Sequence, residues 1–110
     1  MIKRLLAVDG VDVVCHFRDD GAFIEGYGLY SREDMVKLAK LAHDYRRMVQ
    51  GNADQFSMFT GARGLTPPQG WVMRGDKISL CGAANMVCVV NNDVGALNDI
   101  LFELREIAHW

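Results

Sequence analysis

A change of hydrophobic period near residue 30 most constrains what this chain can fold into. Val11, Val13, Cys15 and Phe17 alternate with Asp12, Val14, His16 and Arg18, an apolar face against a mostly polar one, which is the two-residue period of a strand. Asp19-Asp20-Gly21 supplies a tight hairpin turn, and residues 22–27 return as a second strand. From Ser31 the period becomes that of a helix. Ser31, with Asp34 three positions on, is a variant capping box. At about 100° per residue, Met35, Leu38, Ala39, Leu41, Ala42, Tyr45, Met48 and Val49 cover an arc of about 180°, wider than the roughly 100° stripe one core demands. The excess predicts a second packing surface. Lys37, Lys40, His43, Asp44, Arg47 and Gln50 are expected on the solvated side, with Arg46 intruding near the apolar arc.

On either side of this unit the punctuation is clear. Residues 2–8 predict a short helix ended by Asp9-Gly10. Gly51-Asn52 offers a point of interruption in the long helix, and periodicity does not decide whether residues 53–59 continue it. Residues 61–70, with Pro67 and Pro68, read as a loop. Residues 71–74 predict a third strand, Gly75-Asp76 a turn, residues 77–81 a fourth strand and residues 82–85 another turn. Met86-Val87-Cys88-Val89-Val90 is continuously apolar, as for a central strand covered on both faces. Asn91-Asn92-Asp93 offers N-caps for a last helix, in which Val94, Leu97, Ile100, Leu101, Leu104, Ile107 and Ala108 turn toward the sheet. Asp99, Glu103, Arg105 and Glu106 lie mostly opposite.

At 110 residues the expectation is one domain, 1–110, with a single sheet and its helices. Twelve Lys and Arg against 14 Asp and Glu give a net charge of -2, so a nucleic-acid or anionic-membrane surface is not indicated. The start has only a short apolar run before Asp9, far below what a signal peptide or a membrane span needs, so a cytoplasmic location is expected. Three cysteines without regular spacing fit a reducing compartment and no disulfide framework. Half the residues are apolar, and self-association is the simplest outlet for a surplus that a small core cannot hide.

No group of reactive residues stands out. Cys15 and His16 are strand neighbours pointing to opposite faces, so a thiol–imidazole pair is excluded and a core cysteine beside a surface histidine is the plainer reading. Cys81 and Cys88 fall on strands expected to be adjacent, with His16, His43 and His109 as further ligand candidates, yet CxxC and HxxxH spacings are absent and no metal is expected. Gly26-Tyr27-Gly28 and Gly61-Ala62-Arg63-Gly64 lack the dinucleotide fingerprint and the phosphate-loop lysine, and read as turns. Asp19, Asp20 and Glu25 are explained by solvation and turn chemistry. Trp71 remains, either core packing or the anchor of a ligand groove or protein interface.

Leu5-Leu6 followed by Gly10-Val11, the Asp20-Gly21 hairpin, the long alanine-containing helix, three further strands and a leucine-rich terminal helix together resemble the roadblock (dynein light-chain type) domain in its prokaryotic branch. The resemblance covers nearly the whole chain, and its motifs are topological rather than chemical. Thr66-Pro67-Pro68-Gln69-Gly70-Trp71, followed by Gly75, looks closer still to a small group of bacterial members. It implies a profilin-like α/β sandwich: a five-stranded antiparallel sheet, element order αββαβββα, with the long helix on one face and the terminal helices on the other. It further implies a homodimer joined through the long helices and third strands, with Leu41, Tyr45, Met48, Trp71, Val72 and Met73 at the interface. The function so implied is a non-catalytic, cofactor-free regulatory or scaffold module binding a protein partner, with a small Ras-like GTPase as one partner class. Two alternatives stand beside it: a small-molecule sensor with a pocket between sheet and helix, and an accessory subunit of a redox or sulfur-metabolism complex using Cys15, Cys81 or Cys88.

Overall fold

A computed structural model describes residues 2–61, 64, 70–94 and 97–108. Most of the proline loop and His109 lie outside the described residues. The strands are β1 (Val11–Phe17), β2 (Phe23–Gly28), β3 (Trp71–Arg74), β4 (Ile78–Ala83) and β5 (Met86–Asn91). The helices are α1 (Arg32–Thr60) and α2 (Leu97–Ala108), and the chain opens with a 3₁₀ helix, Ile2–Ala7. All four strand pairings are antiparallel, in the spatial order β2-β1-β5-β4-β3. The expected sandwich with its five-stranded sheet is therefore present, with β5 near the centre and every one of Met86 to Val90 buried.

Each face of the sheet carries its own core. On one, Val13, Cys15, Phe17, Val87 and Val89 meet Met35, Ala39 and Ala42 of α1. On the other, Val14, Cys81, Cys88 and Val90 meet Ile100, Leu104 and Ile107 of α2, with Ile2 and Leu5 of the opening turn. Val11 departs from the expected alternation. The register shifts between Val11 and Val13, and this one-residue slip sends Val11 to the α2 side beside Val14.

Local signals account for the boundaries. Asp20 Oδ1 accepts from Ala22 N at 2.9 Å and Gly21 sits at φ 89, closing the β1–β2 turn as expected. Ser31 Oγ accepts from Asp34 N at 3.2 Å at the start of α1. The helix then runs unbroken through Gly51 and Asn52 to Gly61, which is left-handed at φ 64 and donates its N–H to Ser57 O at 3.0 Å. Two caps of ordinary strength thus outweigh one internal glycine, whose cost is only about 1 kcal/mol. The fourth strand reaches Ala83, so the turn is Ala84-Asn85 rather than all of 82–85.

Asn91 and Asn92 make hydrogen bonds outside α2. Asn91 Oδ1 accepts from Asp93 N at 2.9 Å, while Asn92 bridges Ser79 Oγ at 2.7 Å and Gly75 O at 2.8 Å, so these amides stitch a turn and α2 begins at Leu97. Val94 is consequently 62% exposed rather than part of the α2 core face.

Candidate functional site

Helix α1 is 29 residues long, about 43 Å at 1.5 Å per residue, while a strand of six or seven residues spans about 20 Å. The helix outruns the strands, and its buried contacts with the sheet core come from its first half. Met35, Ala39 and Ala42 are buried there. Leu41 and Met48, on the flank of the apolar arc, are 66% and 59% exposed. The arc is wider than its core, and its surplus faces outward beside β3.

Among the described residues, strand β3 is an edge of the sheet, pairing with β4 through Trp71↔Gly82, Val72↔Cys81, Met73↔Leu80 and Arg74↔Ser79. No described strand pairs with its other side, the kind of edge that can template pairing with another chain. Trp71 leans over the Cα of Gly82, where an added Cβ would stand 2.6 Å from the indole. Tyr45 meets the same ring edge-on, with centroids 4.9 Å apart and planes at 69°. Glycine below and tyrosine beside thus fix the tryptophan at the junction of helix and edge strand.

Four of the six expected interface residues, Leu41, Tyr45, Trp71 and Met73, come together around one apolar groove of about 280 Å³ floored by Leu80 and Val87. Met48 extends the same exposed flank one turn along α1. Val72, 40% exposed, lies on the opposite face of β3, toward α2. Sequence reasoning stopped this surface at residue 49. Because α1 continues, Phe59, 90% exposed, stands about five helical turns beyond Leu41 on the same line. Its signal was Gly61 as a helix terminator, which makes one helix of the whole stretch.

The solvated side of α1 needs one correction. His43, expected in solvent, is only 9% exposed. Its Nε2 donates to Asp19 O at 2.7 Å, Nδ1 lies 3.2 Å from Asp44 Oδ1, and its ring packs edge-on against Phe17. Gly21 creates the space, since a Cβ there would meet the imidazole at 3.1 Å. Arg46, from beside the arc, donates to Asn85 Oδ1, and Asn85 Nδ2 donates to Asp19 Oδ1 at 2.7 Å. This network ties α1 to two hairpin tips.

The cysteines are buried and free. Burial pushes the Cys15 thiol up to about 11. Cys81 and Cys88 are direct cross-strand partners; the hydrogen bond between their side chains, and then burial, hold Cys88 well above the usual thiol range. That same hydrogen bond lowers Cys81 against the opposing effect of burial, and the Cys81 side chain is fully buried. Among the described residues, no three His, Cys, Asp or Glu side chains are placed to hold a metal ion, and no helix is long and apolar enough to cross a membrane.

This architecture is shared with solved structures of the roadblock type. A Roadblock/LC7 domain from Streptomyces avermitilis matches with a TM-score of 0.78 at 13% identity, over 94% of this chain and 84% of that one. MglB of Myxococcus xanthus matches at 0.65 and 18% identity, over 98% and 88%, and an MglB with tetrameric arrangement at 0.71 and 15% identity, over 98% and 85%. The chain thus has the roadblock fold. Residues 1–106 match the family described as "Uncharacterized conserved protein (DUF2173)", and the chain belongs to that family. No curated protein matches the sequence.

Proposed function

We propose that this protein is a non-catalytic homodimeric scaffold or regulatory module, residues 1–110 acting as one domain in the cytoplasm, that presents a composite surface to a protein partner. One observation carries the reading: an exposed apolar flank of α1, with Leu41 and Met48 at 66% and 59%, lies beside an open edge strand bearing Trp71 and Met73. Apolar surface that continuous beside a sheet edge is costly in a monomer. A two-fold axis near β3 would join two sheets edge to edge and lay the α1 flanks against each other, so that each surface is its own complement. Leu41, Tyr45, Met48, Trp71 and Met73 would be covered at once, while Val72, on the α2 side of β3, would border the seam. The fold neighbours support self-association, one being an MglB in a tetrameric arrangement.

A small Ras-like GTPase is the partner class this reading favours, because the roadblock resemblance implies it. The redox alternative is disfavoured by three thiols that are all buried. Between the sheet and α1, the groove of about 280 Å³ falls below the usual range of about 300–1,000 Å³ for ligand sites.

Light scattering after size exclusion tests the dimer. The chain weighs 12.3 kDa, so a mass of about 25 kDa is expected over a wide concentration range. Leu41→Asp with Met48→Asp should give a folded monomer, since both side chains are exposed in the protomer. A wild-type monomer at every concentration sinks the proposal. Titration with the source organism's Ras-like GTPases, in GDP and GTP forms, tests the partner class.

A further inference from the structure

A second groove lies on the opposite face of the sheet, between α2 and β3, and shares Trp71 with the dimer surface proposed above. It has a volume of about 480 Å³. Gly70 and Ala83 leave its floor open, Val72 forms one wall, and Leu101 and Phe102 of α2 form the other. Phe102 is 60% exposed, so the wall is an aromatic surface held out to solvent.

Charge on α2 is divided by face. Asn98, Leu101, Phe102 and Arg105 share the stripe that lines the groove. Asp99, Glu103 and Glu106 turn away from it, and Glu103 reaches Arg4 of the opening turn at 3.0 Å. Arg105 therefore stands at the groove, where no acidic side chain is among the lining residues. Arg74 adds a second exposed cation, two residues beyond Val72 on the same face of β3.

We infer that the groove between α2 and β3 is a docking site for an acidic amphipathic helix of a partner protein, its apolar side seated against Val72 and Phe102 and its carboxylates at Arg105, with Arg74 further along β3. A cation at an apolar trough with no acidic side chain among its described lining residues selects acidic over basic partners by charge complementarity. The groove-lining stripe from Asn98 to Arg105 runs about two helical turns, a length that suits a short helix with anchors at i, i+3 or i+4, and i+7. A strand is the poorer occupant, because the dimer uses the free edge of β3. The inference rests on the scaffold reading for its biological sense, and on the groove alone for its geometry.

Three peptides test it, each a fluorescein-labelled amphipathic helix with the same leucine face and with Glu, Gln or Lys at the flanking positions. Anisotropy titrations should rank Glu above Gln above Lys, with about a ten-fold gap between the extremes at low salt that narrows as salt rises. Arg105→Glu should abolish or invert the ranking. Phe102→Ser, an exposed substitution that leaves the fold intact, should weaken all three. Amide shifts on adding the Glu peptide should cluster at Val72, Leu101 and Phe102. Equal affinities, no binding of the Glu peptide, or shifts centred on Leu41 and Tyr45 overturn the inference. So does a Phe102→Ser variant that changes oligomeric mass, since a second copy of the chain would then be the occupant. Mass measured on the same samples separates the two proposals: lost peptide binding with the dimer intact counts against the groove, and a monomeric wild type counts against the dimer.

Discussion

Replacing Gly82 by alanine places a methyl group where the Trp71 indole now rests. The new Cβ would lie 2.6 Å from Cε2 and Nε1 and 2.7 Å from Cζ2, so the ring must retreat by about 0.8 Å to reach ordinary contact. Tyr45, with its ring centroid 4.9 Å from the indole's, obstructs that retreat. Overpacking of this kind costs about 1–3 kcal/mol, and disturbing the aromatic pair adds about 0.5–1.5 kcal/mol. Against this, alanine lowers unfolded-state entropy for a gain of about 0.4–1 kcal/mol. The net loss is about 0.5–4 kcal/mol, centred on about 2, or a fall in Tm of about 8–10 °C for the central value at fixed protein concentration. Circular dichroism melts read the change directly. A Trp71→Leu background isolates its cause: with the indole gone, Gly82→Ala should cost less than about 0.5 kcal/mol, the difference being the coupling between the two sites. An unchanged Tm, or the same loss in both backgrounds, would refute the role assigned to Gly82.

Two further outcomes follow from backbone strain and from the thiols. Ala84 holds φ 51 at the β4–β5 turn, a conformation glycine adopts freely, so Ala84→Gly should raise stability by about 0.5–1 kcal/mol in urea titrations despite its entropic cost. Cys15 is raised from 9.0 to about 11 by burial, so its neutral form is favoured in the fold. The resulting stability is complete below pH 9 and declines as pH climbs toward 11; the urea midpoint should fall across that window, and a Cys15→Ala variant should lose that part of the slope. Ellman's reagent at pH 8 should leave all three native thiols unmodified and react with them once the chain is unfolded.

Much of this fold was legible because local signals and tertiary demands agree. The Asp20-Gly21 turn, the Ser31 cap and the unbroken apolar run of β5 each say locally what the sheet requires. Departures arose where a longer-range contact decided. His43 is polar and sits among charged residues along the sequence, yet Gly21 of a distant hairpin opens a space for its ring. Asn91 and Asn92 have cap chemistry, but Ser79 and Gly75 engage Asn92 across the sheet. The slip between Val11 and Val13 is invisible to a pattern that assumes strict alternation. The surface was half legible: the width of the apolar arc exposed Leu41 and Met48 in advance, whereas Phe59 depended on the helix crossing Gly51.

The two edges of the sheet differ in a way that decides where self-association belongs. At β2 the pairing slips between His16 and Phe17, leaving Ile24 as an extra residue, and a bulged edge twists away from a would-be neighbour. At β3 the four pairs run in unbroken register, and the exposed flank of α1 lies on the same side. Flat edge and apolar helix therefore coincide at one corner only. If a second copy occupies that corner, the α1 face of the sheet is spent on the dimer, and the cationic groove beside α2 is duplicated on the opposite face across the two-fold axis. A partner presenting two acidic helices would then bind with an effective concentration set by the spacing of those grooves, which ties dimerisation to recognition.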